Sequence, residues 1–238
     1  MKKFSKFFLP LFLILLLIFF SFDDTAWKNR NSMEGAKAAY EYYKKLYEQN
    51  PNSYEAAWKF ARAIHFYTNE FITDNKTKKE NFTAGKDAAE KATKLNPNGV
   101  EGYYYYAVCL GSWGEVNGIL ASLSAVGPME KAATKAAEID PKFSKGGPYM
   151  LLGRLYQKVP GKSKTKCKEY YELSLQYGPT GRVNYRFYAE FLIEQKEYAK
   201  AREIIQKGLA IPFDEEDKLI EEKEIKLLKD LLESIKGK

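Results

Sequence analysis

The 238-residue sequence has a single histidine and only two cysteines. Cys109 and Cys167 lack the spacing of metal ligands and are too few for a disulfide framework. Each lies in a helical pattern, which favours the role of a small buried apolar side chain, although one disulfide between them stays open in an oxidising compartment. One histidine and two distant cysteines make no zinc site. The composition therefore predicts neither a bound metal nor a cofactor.

Motifs for catalysis are missing as well. The sequence contains no GxxxxGK[ST] phosphate loop and no GxGxxG fingerprint. His65 lies in the aromatic stretch WKFARAIHFYTNEF, without the Ser or Cys arrangement that nucleophilic catalysis needs. We expect His65 to be an interior or boundary side chain with its polar atoms satisfied. We also expect the protein not to be an enzyme.

A basic patch is not apparent either. The net charge of +7 arises from 38 basic and 31 acidic residues, and the basic residues are repeatedly interrupted by Glu and Asp. Nucleic-acid binding usually needs a basic face or a recognised motif. The pattern indicates a solvated surface with excess lysine, and no nucleic-acid partner is predicted.

One long apolar run stands at the N-terminus. Three lysines precede sixteen uncharged residues from Phe7 to Phe22, and two aspartates follow. This is the layout of an export signal, but the run is short for a spanning helix and a small-x-small cleavage site is missing. We predict a signal or anchor segment at 1–26 and favour an uncleaved anchor over a removed signal. The lysines place the rest of the chain extracytoplasmically, in the periplasm or cell envelope.

Prolines divide the remaining sequence at regular intervals. Apolar and alanine positions recur at helical spacing between them, and proline ends helices because it lacks an N–H and clashes with the preceding turn. The successive intervals are 46, 44, 38 and 33 residues, between Pro51, Pro97, Pro141, Pro179 and Pro212. A helix–turn–helix of about 34 residues closed by proline is the tetratricopeptide repeat, TPR. The extra residues of the first two units, 72–81 and 111–128, are expected between the helices.

The predicted fold is therefore all-α, a TPR-like helical repeat array of about four helix–turn–helix units. Ala189 and Ala201 are placed where the two helices of the last unit must approach closely. Residues 33–51 supply a further second helix ahead of the first unit, and 214–236 read as a C-terminal capping helix. The predicted domains are 27–212 for the array and 213–238 for the cap.

The insert at 111–128, GSWGEVNGILASLSAVGP, has one charged residue, Glu115. Its three helical-spaced glycines each cost about 1 kcal/mol relative to alanine, which a sequence tolerates where backbones pack closely or the chain bends. Apolar residues from Ile119 to Val126 form a stripe. We predict a helix extension or short extra helix. This segment either fills the core of the array or has a binding role. In the second case it lines a concave apolar cavity or forms a contact between subunits of a homo-oligomer.

Two further features bear on binding. Arg154 lies among leucines and needs a partner; Glu101 or Glu115 would supply a structural pair, and an anionic ligand group is the alternative. The four consecutive tyrosines at 103–106 must point in several directions around a helix. Some therefore pack in the array, and with Trp113 one face could form an aromatic wall.

These residues also carry a resemblance. The run from 99 to 161 resembles the T component of tripartite ATP-independent periplasmic (TRAP) transporters, a family of extracytoplasmic TPR proteins, and more generic similarity extends over about 34–212. The matching features are Tyr104–Tyr106, Gly111, Trp113, Asn117-Gly118, Gly146-Gly147-Pro148-Tyr149, Gly153-Arg154, Leu155-Tyr156 and Pro160-Gly161. The resemblance implies an all-helical, often self-associating protein with a hydrophobic cavity, partnered by a periplasmic substrate-binding protein. The sequence lacks the family's lipoprotein cysteine, which leaves the mode of membrane attachment open.

Two functions follow as hypotheses. The first is a non-enzymatic, membrane-tethered protein that binds an apolar or amphipathic small molecule and a transporter binding protein. The second is a TPR scaffold for an envelope protein or peptide, without a small ligand. A ligand cavity predicts that Trp113, Asn117, Leu120 and Tyr149 converge on an enclosed space, whereas a scaffold predicts an open groove with paired polar residues. The candidate binding residues are Tyr103, Tyr104, Trp113, Asn117, Leu120, Tyr149, Arg154 and Tyr156.

Overall fold

The computed structural model describes residues 25–238, which form α-helices joined by short turns. The all-α prediction is confirmed. Apart from residues 25 and 26, the predicted signal or anchor segment lies outside the described residues. The helices are α1 (Met33–Gln49), α2 (Tyr54–Phe71), α3 (Asn75–Leu95), α4 (Val100–Asn117), α5 (Ile119–Ile139), α6 (Phe143–Lys158), α7 (Lys164–Tyr177), α8 (Arg182–Glu194), α9 (Tyr198–Leu209), a 3₁₀ turn (Glu215–Asp217) and α10 (Lys218–Ser234).

Consecutive helices pack as antiparallel pairs, as the proline spacing predicts. The pairs α2–α3, α4–α5, α6–α7 and α8–α9 form four units, α1 packs ahead of them on α2, and α10 packs on α8 and α9 as the cap. At the predicted close approach in the last unit, Ala189 and Ala201 are both fully buried. Within residues 25–238, none of the helices is both long and apolar enough to span a bilayer.

Short polar side chains start several of these helices. Ser32, Ser53 and Ser163 each accept a hydrogen bond from the backbone N–H three residues on. Such caps satisfy amides that otherwise lack a partner in the first turn. Asp74 caps α3 in the same way, with its carboxylate 2.8 Å from the Thr77 amide. The prediction that 72–81 lies between helices is therefore mostly wrong, because from Asn75 onwards it forms the start of α3.

The insert extends two helices rather than adding a third. It continues α4 to Asn117 and begins α5 at Ile119, so that Gly118 alone joins them, with φ +94°. A Cβ on Gly114 would lie 3.1 Å from the Ser122 Cα, so the two helices approach closely there. These two positions confirm the expected bend and close packing. We call residues 111–128 the hairpin.

The hairpin is part core and part surface. Ala125 is buried, and Val126 and Met129 pack against the core of the last two units. Its tip, by contrast, is exposed. Pro128 lies inside α5; the preceding Gly127 has no Cβ to clash with the proline ring, which lets the helix continue.

Both cysteines are buried thiols, as expected. Cys109 and Cys167 are free and have no exposed surface. Burial raises the pKa of the Cys167 thiol to about 12 and raises that of Cys109 further above its usual range. Each thiol therefore stays protonated and acts as a small apolar side chain.

The two ends of the array touch each other. Arg30, ahead of α1, forms an ion pair with Asp217, and the Asn31 Oδ1 accepts from the Leu219 amide at 3.2 Å. Lys223 Nζ lies 2.9 Å from Glu70 Oε2 at the end of α2. We call this set the clasp; it comprises Arg30, Asn31 and Glu70 on one side and Asp217, Leu219 and Lys223 on the other.

Candidate functional site

The inner groove is the concave surface formed by the first helices of the units. Residues of α2, α4, α6, α8 and α10 line a cavity of about 380 Å³, and the clasp bounds it. Its charged side chains are paired with one another. Arg182 Nη2 lies 2.6 Å from Glu221 Oε2, and Arg186 pairs with Glu224 one turn further on. The scaffold hypothesis predicts such paired polar residues, but in an open groove, whereas the clasp bounds this one.

An unusual backbone aims Lys145 into this groove. Ser144, Lys145 and Gly146 all have left-handed conformations, with φ of 49°, 55° and 78°. For residues other than glycine this conformation costs roughly 1–2 kcal/mol each. Lys145 Nζ lies 2.8 Å from Asp214 Oδ2 and 3.3 Å from Asp217 Oδ2. The hydrogen bond from Lys145 holds the pKa of Asp214 below its usual value.

A buried asparagine fixes the same turn. The Asn184 amide nitrogen donates to the Lys145 carbonyl at 2.7 Å and also lies close to the Ser174 carbonyl, at 3.3 Å. The sequence predicts a break at Gly146-Gly147-Pro148, with positive φ or close approach, and both occur. Gly146 has φ +78°, and a Cβ on Gly147 would lie 2.6 Å from the Tyr104 ring.

The outer groove lies on the opposite side, between α3 and α5, which both pack on α4. It has a volume of about 1030 Å³. Tyr103 and Tyr106 of α4 form part of its lining, together with Ala132 of α5. The charged residues along it are Glu90 and Lys94 from α3 and Glu130, Lys131, Lys135 and Glu138 from α5.

A third concavity lies under the hairpin. This hairpin crevice has a volume of about 390 Å³ and is formed between α5 and the end of α6. Ile119, Leu123 and Val126 face Leu155 across it, and its cationic lining includes Arg154. Its walls are thus mainly aliphatic with charge at one side.

Arg154 has a protein partner, but not the one predicted. Its Nη1 lies 2.9 Å from Glu190 Oε2 on α8, and its guanidinium lies 4.3 Å from the Phe187 ring centre. Glu101 instead accepts from the Tyr54 hydroxyl at 2.8 Å. The prediction that Arg154 forms an ion pair within the protein is therefore confirmed, but the predicted partners, Glu101 or Glu115, are wrong.

The eight candidate residues do not lie together. Tyr103 lines the outer groove, Tyr104 the inner groove and Arg154 the hairpin crevice. Asn117 donates to the Trp113 carbonyl at 2.8 Å on the hairpin, and Leu120 is 85% exposed. On α6, the ring of Tyr149 stacks on Tyr170 and Tyr177, and the hydroxyl of Tyr156 donates to Glu130 Oε1 at 2.6 Å. The convergence expected of Trp113, Asn117, Leu120 and Tyr149 is not observed.

His65 has the environment predicted for it. Its Nε2 lies 3.0 Å from the Ser112 Oγ, and its ring contacts Phe82. Burial lowers the pKa of His65 to about 4, so the ring is neutral at physiological pH. Among residues 25–238, no cluster of three or more His, Cys, Asp or Glu is arranged to hold a metal ion.

A comparison with family models shows to which protein family the chain belongs. The model described as regulator of microtubule dynamics protein 1-3 matches residues 24–159, more than half of the chain. The chain belongs to this family. The family match and the fold support a TPR-like helical protein. Membership of the TRAP T-component family stays a prediction. A comparison with curated proteins found no match.

A comparison with solved structures found a TPR protein with a similar fold. TTC0263, a thermophilic TPR protein of Thermus thermophilus, is 14% identical with a TM-score of 0.62, over 82% of this chain and 92% of that one. A MamA protein is 17% identical with a TM-score of 0.49, over 79% and 89%. At these identities the likeness to TTC0263 shows the fold alone.

Sequence reasoning missed the outer groove and the clasp. The only signal for the groove is the Gly127-Pro128 pair inside a helical pattern, together with tyrosines that cannot all face the core. The clasp joins residues 187 positions apart, Arg30 and Asp217. Local sequence patterns carry no information at that separation.

Proposed function

We propose that this chain is a non-enzymatic adaptor that binds a polypeptide helix of a partner protein in its outer groove. The observation that carries the proposal is the size and lining of that groove, about 1030 Å³ with two tyrosines and both signs of charge. Tyrosine is enriched among residues that dominate binding energy at interfaces. An amphipathic helix lying in a hydrophobic groove is a recurring mode of recognition.

The geometry favours a helix as the bound element. Two helices, α3 and α5, flank the groove and a third, α4, lies beneath it, so an added helix packs as a fourth neighbour with side chains between ridges. Small residues, Gly127 and Ala132, leave room along α5. The inner groove is a weaker candidate, since its charges are already paired and the clasp bounds it.

We further propose that the apolar run at 7–22 holds the array at a membrane, on the extracytoplasmic side. The support is the sequence layout of lysines, apolar run and aspartates. The T-component resemblance suggests a periplasmic substrate-binding protein as the partner, whereas the family name refers to microtubule dynamics. Both suggestions name protein partners, and identification of the bound protein separates them.

Obstruction of the groove tests the proposal. Thr134 and Lys94 are exposed side chains on its opposite sides, so Thr134→Trp and Lys94→Trp block it without altering the core. Lys76→Trp and Lys200→Trp, exposed elsewhere, are matched controls. The full chain is purified from its host and its bound proteins are quantified by mass spectrometry. Both groove variants should lose a partner that both controls retain; equal recovery in all four would contradict the proposal.

A second candidate function is favoured by the hairpin crevice. Its volume of about 390 Å³ and its aliphatic lining suit a small apolar or amphipathic molecule. Leu123 lines the crevice, whereas Leu120 does not and is more exposed. Native mass spectrometry should show a bound non-protein mass that Leu123→Glu removes and Leu120→Glu leaves. Absence of such a mass in the unmodified chain would exclude this candidate.

A further inference from the structure

The hairpin tip carries the most exposed large aliphatic side chains among the described residues. Ile119, Leu120 and Leu123 are 80%, 85% and 56% exposed. Three neighbouring aliphatic side chains at the end of a projecting helical pair are unfavourable in water, because moving apolar surface out of water lowers the free energy. The packing of the chain itself leaves more than half of the surface of each of these side chains uncovered.

One aromatic and two cationic side chains lie beside and behind the tip. Trp113 lies five residues before Gly118, which is about 7 Å back along α4. The Lys86 ammonium lies 5.7 Å from the Trp113 ring centre. On the other side of the tip, the exposed Lys158 lines the crevice together with Ile119. Aliphatic residues flanked by tryptophan and lysine are typical of segments that lie at a membrane interface.

The backbone at the tip suits the same environment. Gly118 has no side chain to cap the first N–H groups of α5. Amides at a helix N-terminus favour anionic oxygens such as phosphate. At the carbonyl end of α4, Asn117 donates to the Trp113 carbonyl and the Gly118 amide donates to the Gly114 carbonyl.

A chain of contacts links the start of the described array to the helix that leads to the tip. The Trp27 ring centre is 5.5 Å from that of Phe66, and the preceding residue, His65, contacts Ser112. Ser112 is six residues, or about 9 Å, from Gly118. The apolar run ends at Phe22, and the five residues from there to Trp27 reach at most about 17 Å.

We propose that the hairpin tip, Ile119–Leu123, inserts into the interfacial layer of the bilayer to which the N-terminal run is anchored. This inference rests on the membrane tether of the proposed function. The tip supplies a second attachment point, so that the array is held in one orientation at the lipid surface. Glu115 limits the depth, because it is the charged residue of the hairpin and is exposed below the tip.

A fluorescent label at the tip tests insertion. Leu120→Cys is modified with an environment-sensitive nitrobenzoxadiazole in the full chain; Cys109 and Cys167 stay unlabelled because they are buried with raised thiol pKa values. Thr134→Cys is the matched control, also exposed and about 21 Å further along the same helix. Both proteins are reconstituted into vesicles of phosphatidylcholine with a minor share of phosphatidylglycerol. Quenching by aqueous iodide and by a nitroxide-labelled lipid is then measured.

We expect the label at 120 to emit at shorter wavelength in vesicles than in detergent-free buffer, to resist iodide and to be quenched by the lipid nitroxide. The label at 134 should show the opposite pattern. A chain that floats with the vesicles but has an iodide-accessible label at 120 overturns the inference and leaves the tether standing. A label at 120 protected from both quenchers indicates contact with a second copy or another protein segment and also overturns it. A chain that does not float with the vesicles overturns the tether and the inference together.

Discussion

Arg182 and Glu221 form an ion pair that solvent scarcely reaches, with side chains 1% and 5% exposed. The same guanidinium donates to the Gly208 carbonyl at 2.6 Å and to the Ile211 carbonyl at 2.8 Å. One arginine therefore joins α8, the end of α9 and the cap α10. A buried cation held by this many acceptors fixes the position of the last helix.

Neutralising Glu221 should loosen the cap severely. Glu221→Gln keeps the side-chain shape but leaves Arg182 charged and buried without a counter-charge. Loss of one partner of a buried pair costs about 3–5 kcal/mol of unfolding free energy. Urea unfolding followed by circular dichroism measures the change. The control Glu194→Gln, at an exposed pair with Lys158, should change the free energy by less than about 1 kcal/mol, and equal effects of the two variants would refute the role of burial.

Mild acid should destabilise the array through His65. Its folded-state pKa is about 4, against an ordinary value of 6.5. The unfolded chain therefore binds the extra proton first, so stability is full above pH 6.5 and is lost progressively as the pH falls towards 4. Because His65 is only partly buried as a residue, we expect a loss of about 1–2 kcal/mol. His65 is the only histidine, so His65→Phe should flatten the pH dependence of urea unfolding between pH 6.5 and 4. An unchanged pH dependence would show that another group causes the loss of stability.

Two glycines should respond oppositely to alanine. A Cβ on Gly178 would lie 1.8 Å from the Lys145 carbonyl oxygen, whereas one on Gly111 would meet only the flexible end of Met129 at 3.4 Å. Gly178→Ala must displace backbone and should cost several kcal/mol, at least about 3. Gly111→Ala, inside α4, should gain up to about 1 kcal/mol from helix propensity. Thermal unfolding midpoints of the two variants decide the point, and a shift in the same direction would be inconsistent with these contacts.

The clasp should be opened by removing Asp217, which pairs with both Arg30 and Lys145. Asp217→Asn should speed hydrogen exchange of the first turns of α10 while leaving exchange in α2–α5 unchanged. Asp230→Asn, exposed on the same helix, is the control and should leave exchange as it is. Uniform acceleration across the array in both variants would mean that the pairs do not hold α10.

Acidification below the ordinary pKa of aspartate should also weaken the attachment of α10. The hydrogen bond from Lys145 depresses the pKa of Asp214 below 3.8. The contribution of this pair is thus fully present above pH 3.8 and disappears as the pH falls through the depressed value. In Asp214→Asn, protection of α10 from exchange should be lower at neutral pH and change less on acidification.

Much of the fold follows from the sequence because each unit is local. Prolines mark the ends of the pairs, and small residues such as Ala189 and Ala201 mark close helix contacts. The partner of Arg154 was missed, although a signal exists. Arg154 and Glu190 are 36 residues apart, as are Lys158 and Glu194, which is close to the last repeat intervals, so equivalent turns of adjacent units lie side by side.

The candidate surfaces were harder to predict than the helices. The outer groove depends on how far α3 and α5 diverge over α4, which residue spacing does not specify. The hairpin tip illustrates the same limit: the stripe from Ile119 to Val126 is visible in the sequence, but its division into an exposed tip and a buried base at Ala125 depends on where the chain reverses.

The clasp gives the array a mechanical property that an open row of repeats lacks. In an open solenoid, a pull on one end is borne by neighbouring units in turn. Here a load entering at the N-terminal end reaches Arg30 and passes directly to Asp217 and the last helix. Tension applied at the N-terminal end of the array is thereby shared between the first and the final elements at once.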